Sequence, residues 1–321
     1  MVRRYRQTYK IEVKLEFLHK PVMLDEVLSG LNINPDGIYV DCTIGGAGHS
    51  REILKKLGKN GRLIGIDKDE EALAHCKQTL SNYSNVTLVK SDFKQLENVL
   101  NNLSIDKIDG ILIDLGVSSY QLDNAERGFS FRFDAPLDMR MDKSQDFSAK
   151  DVVNQYSQAR LTRILKEYGE EEYASSIAKN IIANRPIETT KQLAQIIEKS
   201  MPTKVVFKRN GAHKKAFQAI RIEVNRELEN LFETINYAIS KLKKGGRIAI
   251  LTFHSLEDRI VKTAYNVNAI ECVCPPKTPI CICGHKASLK LVNKKPIIAS
   301  EKEQQENSRS TCAKLRVGEK I

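Results

Sequence analysis

Four aspartates stand where apolar runs give out: Asp41, Asp67, Asp92 and Asp114. Asp41 follows Ile38-Tyr-Val40 and opens the turn Cys42-Thr-Ile-Gly-Gly-Ala-Gly-His49. Glycines at 45, 46 and 48 let backbone pass close to a ligand and take up positive φ. A helix beginning near His49 adds free N–H groups and a partial positive charge. A strand, a glycine turn and a helix in that order suit a nucleotide. Asp67 ends Leu63-Ile-Gly-Ile66, about 20 residues past the glycines, where a carboxylate accepts from a ribose diol. It also reads as a cap on the next helix, but Asp69, Glu70 and Glu71 supply that role without it. Phe93 either stacks on an adenine or closes the core. Asp114-Leu-Gly-Val-Ser-Ser119 follows the apolar run 108–113, at a fourth strand end where ligands sit.

These residues need a frame. Strands are expected at 38–43, 63–66, 86–89, 108–113 and 247–253. Helices are expected at 22–30, after the glycine turn as far as Gly58, and at 70–80. Alternation of this kind implies a parallel sheet with right-handed crossovers and ligands beyond the carboxyl ends of its strands. From about residue 125 the pattern changes. An aromatic loop, Gly128 to Met141, precedes helical segments at 149–156, 158–168, 170–184 and 191–201, and one long helix at 216–242. The apolar stripe of that helix is Phe217, Ile220, Val224, Leu228, Leu231, Ile235 and Leu242. The tail offers short edge strands at 289–292, 296–298 and 312–317. The chain therefore divides into a basic arm (1–18), a discontinuous α/β domain (19–124 and 222–321) and a helical insertion for substrate recognition (125–221).

The 321 residues carry a net charge of +11, with a pI near 9.2, which points to a polyanionic partner such as nucleic acid. Lys204, Lys208, Arg209, His213, Lys214 and Lys215 form a basic edge for phosphates. Phe129, Phe131, Phe133 and Arg140 stand in an aromatic and arginine-rich loop. No apolar run reaches the ~18–20 residues of a membrane span, and the first ten residues lack a signal-like apolar stretch. Seven cysteines, an odd number with four bunched late, fit a reducing cytoplasm better than a disulfide framework. Those four, Cys272, Cys274, Cys281 and Cys283, form two C-x-C pairs around a proline-rich turn. A tetrahedral zinc site and a metal-free hairpin both explain them, and no metal is assigned.

The glycine turn fits a dinucleotide poorly, because G-x-G-x-x-G from Gly46 needs a small residue where Arg51 stands. Asp41-x-Thr-x-Gly-x-x-Gly48 is closer to the loop that holds S-adenosylmethionine. Longer strings occur in order: His19-x-Pro-Val-Met-Leu-x-Glu26, Asp114-Leu-Gly-Val-Ser-Ser-x-Gln-Leu-Asp123, Glu126-Arg-Gly-Phe-Ser-Phe131, Pro136-Leu-Asp-Met-Arg-Met-Asp142, Tyr168-Gly-Glu-Glu171, Phe217-Gln-Ala-x-Arg-Ile222 and Phe253-His-Ser-Leu-Glu-Asp-Arg-Ile-Val-Lys262. From about residue 19 onward the chain resembles the bacterial 16S ribosomal RNA cytosine-N4 methyltransferase family, RsmH or MraW. The resemblance implies a Rossmann-like class I S-adenosylmethionine-dependent methyltransferase with an inserted all-helical domain. It also implies a cytidine N4 in the decoding region of small-subunit 16S ribosomal RNA as acceptor. Cofactor contacts carried over by motif fall at Ala47, Gly48, His49, Asp67, Phe93, Asp114 and Gln121. For such an acceptor, Asp114, the Gly116 carbonyl and Ser118 are candidates to accept from the amine N–H groups, with Asp114 and Ser118 the catalytic candidates; the alternative is that Asp114 serves only the methionine moiety of the cofactor. Phe129, Phe131, Phe133 and Arg140 are candidates to hold the extruded base by stacking. Ala47 stands where relatives carry glycine. A homodimer is left open. Two competing classes are a non-enzymatic RNA binder and a nicotinamide-dependent dehydrogenase. The intact Asp67 and Asp114 motifs speak against the first; Arg51 and the missing second nucleotide-binding half speak against the other.

Overall fold

The computed structural model describes residues 21–209, 211–275 and 280–321. The arm expected at 1–18 lies outside the described residues.

The chain enters with α1 (Leu24–Leu31) and then alternates. It forms β1 (Ile38–Asp41), α2 (Gly48–Lys56), β2 (Arg62–Asp67), α3 (Glu70–Thr79), β3 (Val86–Lys90), α4 (Leu96–Asn102) and β4 (Ile108–Asp114). A short α5 (Ser119–Asp123) leads to the helical segment: α6 (Ala149–Gln155), α7 (Gln158–Glu167), α8 (Ala174–Ala183), α9 (Thr190–Lys199), α10 (Thr203–Lys208) and α11 (Lys214–Asn225). The chain returns through α12 (Leu231–Lys241), β5 (Leu242–Thr252) and α13 (Ser255–Ala269). It closes with β6 (Leu289–Leu291), β7 (Ile297–Ile298), α14 (Glu301–Glu306) and β8 (Lys314–Lys320).

The strands make one sheet in the order β3-β2-β1-β4-β5-β8-β6, with β7 also paired to β8. β1 to β5 are mutually parallel; β8 runs antiparallel to β5, β6 and β7. Helices cover both faces, so the central strands read as continuous apolar runs rather than alternating ones. Val40, Ile64, Ile111 and Ile250 face one cluster, which α4, α12 and α13 complete with Leu100, Ile235 and Val261. Tyr39, Leu63, Leu112 and Leu251 face the other, completed by Val27, Ile53 and Leu73 from α1, α2 and α3. A third cluster joins the helical segment to the loop before it and gathers Val152, Leu161, Ile164, Ile177, Ile181, Leu193, Ile197, Phe217 and Ile220 with Leu137 and Met139.

Two expectations fail. The stripe at 216–242 is two helices. α11 stops where Arg226 takes φ 50°, and α12 begins after Asn230 at φ 56°. Phe217, Ile220 and Val224 enter the helical cluster, while Leu231 and Ile235 pack on the sheet. The apolar period runs unbroken through the bend and no glycine or proline marks it, so periodicity alone joins the two. The segment expected as an edge strand at 312–317 is also misplaced. β8 lies inside the sheet, with β5 on one side and β6 and β7 on the other, and Leu315 and Val317 are buried.

Candidate active site at the carboxyl ends of the strands

The glycine turn is held from below by acids. Buried Asp41 accepts from Ser50 Oγ at 2.7 Å and from the Thr43 N–H at 3.2 Å. Burial pushes its carboxyl up to about 6, against those two hydrogen bonds, and nearby Asp67 adds to the rise. Asp67 accepts from the Gly45 N–H at 2.8 Å and the Asp69 N–H at 2.9 Å. It therefore joins the end of β2 to the turn after β1; burial raises its pKa as well. Asp69, not Asp67, caps α3, accepting from the Glu71 N–H. Ala47 sits at φ 61°, a left-handed conformation that costs a residue with a Cβ. At Gly48 a Cβ would stand 2.5 Å from Pro21, so that position requires glycine.

Asp114, at the tip of β4, faces the same turn. Its N–H donates to Thr43 Oγ1 at 2.7 Å, and its Oδ2 lies 3.5 Å from His49 Nδ1. His49 is itself fixed by a 2.9 Å hydrogen bond between Nε2 and the Val22 carbonyl. Asp114 Oδ1 is buried and has no hydrogen-bond partner. Burial raises the Asp114 pKa well above the usual carboxylate range, and Asp41 and Glu257 push it in the same direction.

Ser118 and Gln121 are explained first by local structure. Ser118 Oγ accepts from the Gln121 N–H, and Gln121 Oε1 accepts from the Ser118 N–H, a capping box that starts α5. The same Gln121 donates through Nε2 to Asp69 Oδ2 at 2.8 Å, so the cap is locked to the mouth of β2. Phe93 opens the short turn after β3 and packs, half-buried, against the sheet cluster, so its ring closes the core there.

The remaining sequence candidates divide. Phe129 is buried in the helical cluster, where it cannot stack on a base. Arg140 is held by Asp138 in a two-pronged pair and by the Gln145 carbonyl. Phe131 packs against His213 with the rings tilted by 39° and their centres 4.6 Å apart, and Phe133 is 47% exposed. Along the basic edge, Arg209 pairs with Glu171 and Glu172, and Lys215 donates to the Glu170 carbonyl. Lys204, Lys208 and Lys214 are exposed, and Phe207 between the first two is 86% exposed.

Sequence reasoning missed Arg127 and Glu257. Arg127 is fully buried and donates to Asp69 Oδ2 and Glu71 Oε2, both at 2.8 Å, and to the carbonyls of Arg140 and Met141. It ties the α/β frame to the loop that leads into the helical segment. Glu257 accepts from the Phe253 N–H at 2.8 Å and lies against His254 at the end of β5. A charged residue inside an otherwise polar string gives no signal of burial; only its partners do.

A cleft of this kind has definite chemical preferences. Asp41, Asp67 and Asp114 make it acidic, and Asp114 Oδ1 has no hydrogen-bond partner. That fits a ligand carrying positive charge on an ammonium or sulfonium and hydroxyls on a ribose. A doubly wound dehydrogenase completes its sheet with a second parallel half; here an antiparallel strand is slotted in after β5. With that sheet and that mouth, the chain falls in the class of Rossmann-like S-adenosylmethionine-dependent methyltransferases.

Within the class the assignment is direct. Residues 16–321 match the model of the MraW methylase family, and the chain belongs to that family. It is 52% identical over 311 residues to a Clostridium botulinum protein, covering 96% of this chain and 100% of that one. It is 51% identical over 313 residues to one from Lachnospira eligens, covering 96% and 99%. Both carry the name ribosomal RNA small subunit methyltransferase H. A solved rRNA methylase from Streptococcus thermophilus superposes with a TM-score of 0.38 at 13% identity, over 93% of this chain and 92% of that one. So distant a likeness adds nothing to the strand order itself.

Proposed function

We propose that the chain transfers a methyl group from S-adenosylmethionine to N4 of a cytidine in the decoding region of 16S ribosomal RNA, within the small ribosomal subunit. The observation that carries the reading is the Asp114 carboxylate at the tip of β4, set beside the glycine turn with Oδ2 against His49 and a buried Oδ1 that has no hydrogen-bond partner. The names of the relatives support the ribosomal substrate, and the charge of +11 supports an RNA partner. Among the described residues no helix is long and apolar enough to cross a membrane. The cytoplasm, where ribosomes assemble, is the compartment this reading requires.

In this reading the residues have separate tasks. Asp67 accepts from the ribose hydroxyls, and the backbone of Ala47, Gly48 and His49 lines the methionine end. Phe93 presents its exposed edge to the adenine, and Gln121 closes the mouth from α5. When bound, the cofactor supplies an electrophilic methyl on a sulfonium. Displacement at that carbon is in-line, so the protein's work is chiefly alignment, which can supply about 7–11 kcal/mol of barrier reduction. The cytosine amine is a weak nucleophile because its lone pair is delocalised into the ring. An acceptor at its N–H draws the nitrogen toward a tetrahedral geometry. Asp114, the Gly116 carbonyl and Ser118 are the groups placed to accept, and Asp114 also serves the ammonium of the cofactor. The helical segment, with Phe133 and the exposed lysines of α10, takes the RNA.

The acceptor class is testable directly. Small subunits, transfer RNA and total protein from cells lacking the gene are each incubated with the enzyme and methyl-labelled cofactor. Label entering only small-subunit RNA is the expected result. Label in transfer RNA or protein contradicts the proposal.

A further inference from the structure

Four sulfurs outside the cleft remain unexplained by methyl transfer. Cys272 and Cys274 leave the end of α13, and Cys281 and Cys283 return toward β6. All four are free thiols. Their Sγ atoms lie within 4.8 Å of one another. Cys272 to Cys281 is 3.4 Å, Cys281 to Cys283 is 3.5 Å, and Cys283 to Cys272 is 3.8 Å. A disulfide needs about 2.05 Å between sulfurs. Four sulfurs on a tetrahedral zinc, each about 2.3 Å from the metal, stand roughly 3.8 Å apart. The spacings among Cys272, Cys281 and Cys283 lie close to the second arrangement and far from the first, and Cys274 stands within 4.8 Å of all three.

The surroundings agree. The Cys274 N–H is directed at Cys272 Sγ at 3.4 Å, an interaction that stabilises a thiolate. Among the described residues near the cysteines, Val273, Ile280 and Ile282 do not form an apolar interior, being 46%, 76% and 85% exposed. A small loop with no core of its own needs a staple, and a metal is the usual one. Its base is already fastened to α13: the Ser288 N–H donates to the Asn268 carbonyl, and His285 Nε2 is 2.8 Å from the Val267 carbonyl. His285 is thereby turned away from the sulfurs, which leaves a four-thiolate set.

We infer that Cys272, Cys274, Cys281 and Cys283 bind one zinc ion as a closed, structural tetrathiolate. This reverses the sequence reading, which assigned no metal. Each C-x-C pair offers two thiolates, and the two pairs come together to supply the four corners. The location fixes the role. α13 starts at the carboxyl end of β5 and runs back along the sheet for 15 residues, about 22 Å. The sulfurs therefore sit at the far end of the sheet from Asp114. A closed site offers no open coordination position, so the ion staples the connection between α13 and β6 and takes no part in the transfer.

The test uses the full chain, purified under reducing conditions without chelator. Elemental analysis is expected to give about one zinc per chain. Cobalt added to metal-stripped protein is expected to produce the visible bands of a tetrahedral tetrathiolate. Cys272→Ser and Cys281→Ser should each lose the metal and unfold at lower temperature; Cys312→Ser, outside the cluster, should keep both. Cofactor binding retained by the two serine variants would confirm that they fold. Metal-free wild type that gives no tetrathiolate spectrum with cobalt would overturn the inference. So would zinc that survives unchanged in both Cys272→Ser and Cys281→Ser.

Discussion

Asp41 makes the cleft sensitive to pH. Its carboxyl titrates at about 6 in the folded chain, because burial penalises the charged form; an exposed aspartate titrates near 3.9. Below that ordinary value both states hold the proton and its stabilising contribution is fully present. As pH rises, the unfolded state releases the proton first, and the contribution is lost by the time pH passes about 6. A difference of that size is worth roughly 3 kcal/mol at most. Asp41→Asn keeps an oxygen to accept from the Thr43 N–H, can donate its amide to Ser50 Oγ, and does not titrate. Denaturant unfolding between pH ~4 and ~7 should show stability falling less in the variant than in the wild type; parallel curves would show that Asp41 is not the group responsible. At Asp67 the charge itself is at issue. Asp67→Asn can accept from only one of the Gly45 and Asp69 N–H groups, so a loss of affinity for S-adenosylmethionine of about 1.5–3 kcal/mol would report the charge together with that lost acceptor. Unchanged calorimetric affinity would remove Asp67 from the site.

The elements show where the sequence was readable and where it was not. β1, β2, β3 and β4 were legible because buried parallel strands are short apolar runs, each punctuated by an aspartate at the carboxyl end. Asp41, Asp67, Asp92 and Asp114 thus declared the mouth of the sheet from the sequence alone. The bend between α11 and α12 was not legible. Val224, Leu228 and Leu231 keep helical spacing across it, and what separates the helices is which cluster each packs into. Arg127 was equally hidden, since its burial depends on Asp69 and Glu71, more than fifty positions away. The same dependence makes it a sensitive position. Arg127→Met leaves Asp69 without its buried cation and frees the loop ending at Met141. Removing one partner of a buried pair costs about 3–5 kcal/mol, so the midpoint of thermal unfolding should drop by many degrees. A variant as stable as the wild type would mean that this pair does not hold the helical segment to the sheet.

At the scale of the molecule, a basic chain presents an acidic pocket. The two are compatible if the charges have different partners: carboxylates for a cationic cofactor, lysines for RNA phosphates. The structure narrows the basic edge, because Arg209 and Lys215 are already engaged while Lys204 and Lys208 on α10 are exposed. Taking one lysine away from the phosphate backbone should lower the salt dependence of RNA affinity by close to one. Lys204→Ala with Lys208→Ala should therefore flatten the log–log slope by about two. An unchanged slope would move the RNA surface elsewhere on the molecule.

The central claim is that the methyl group arrives on an exocyclic cytosine nitrogen. Small subunits lacking the modification, treated with enzyme and labelled S-adenosylmethionine, can be digested to nucleosides and resolved by mass spectrometry. The account predicts label in N4-methylcytidine, from a single position of the 16S RNA, and its loss with Asp114→Asn. Label on a ring carbon, or on any base other than cytosine, would contradict it.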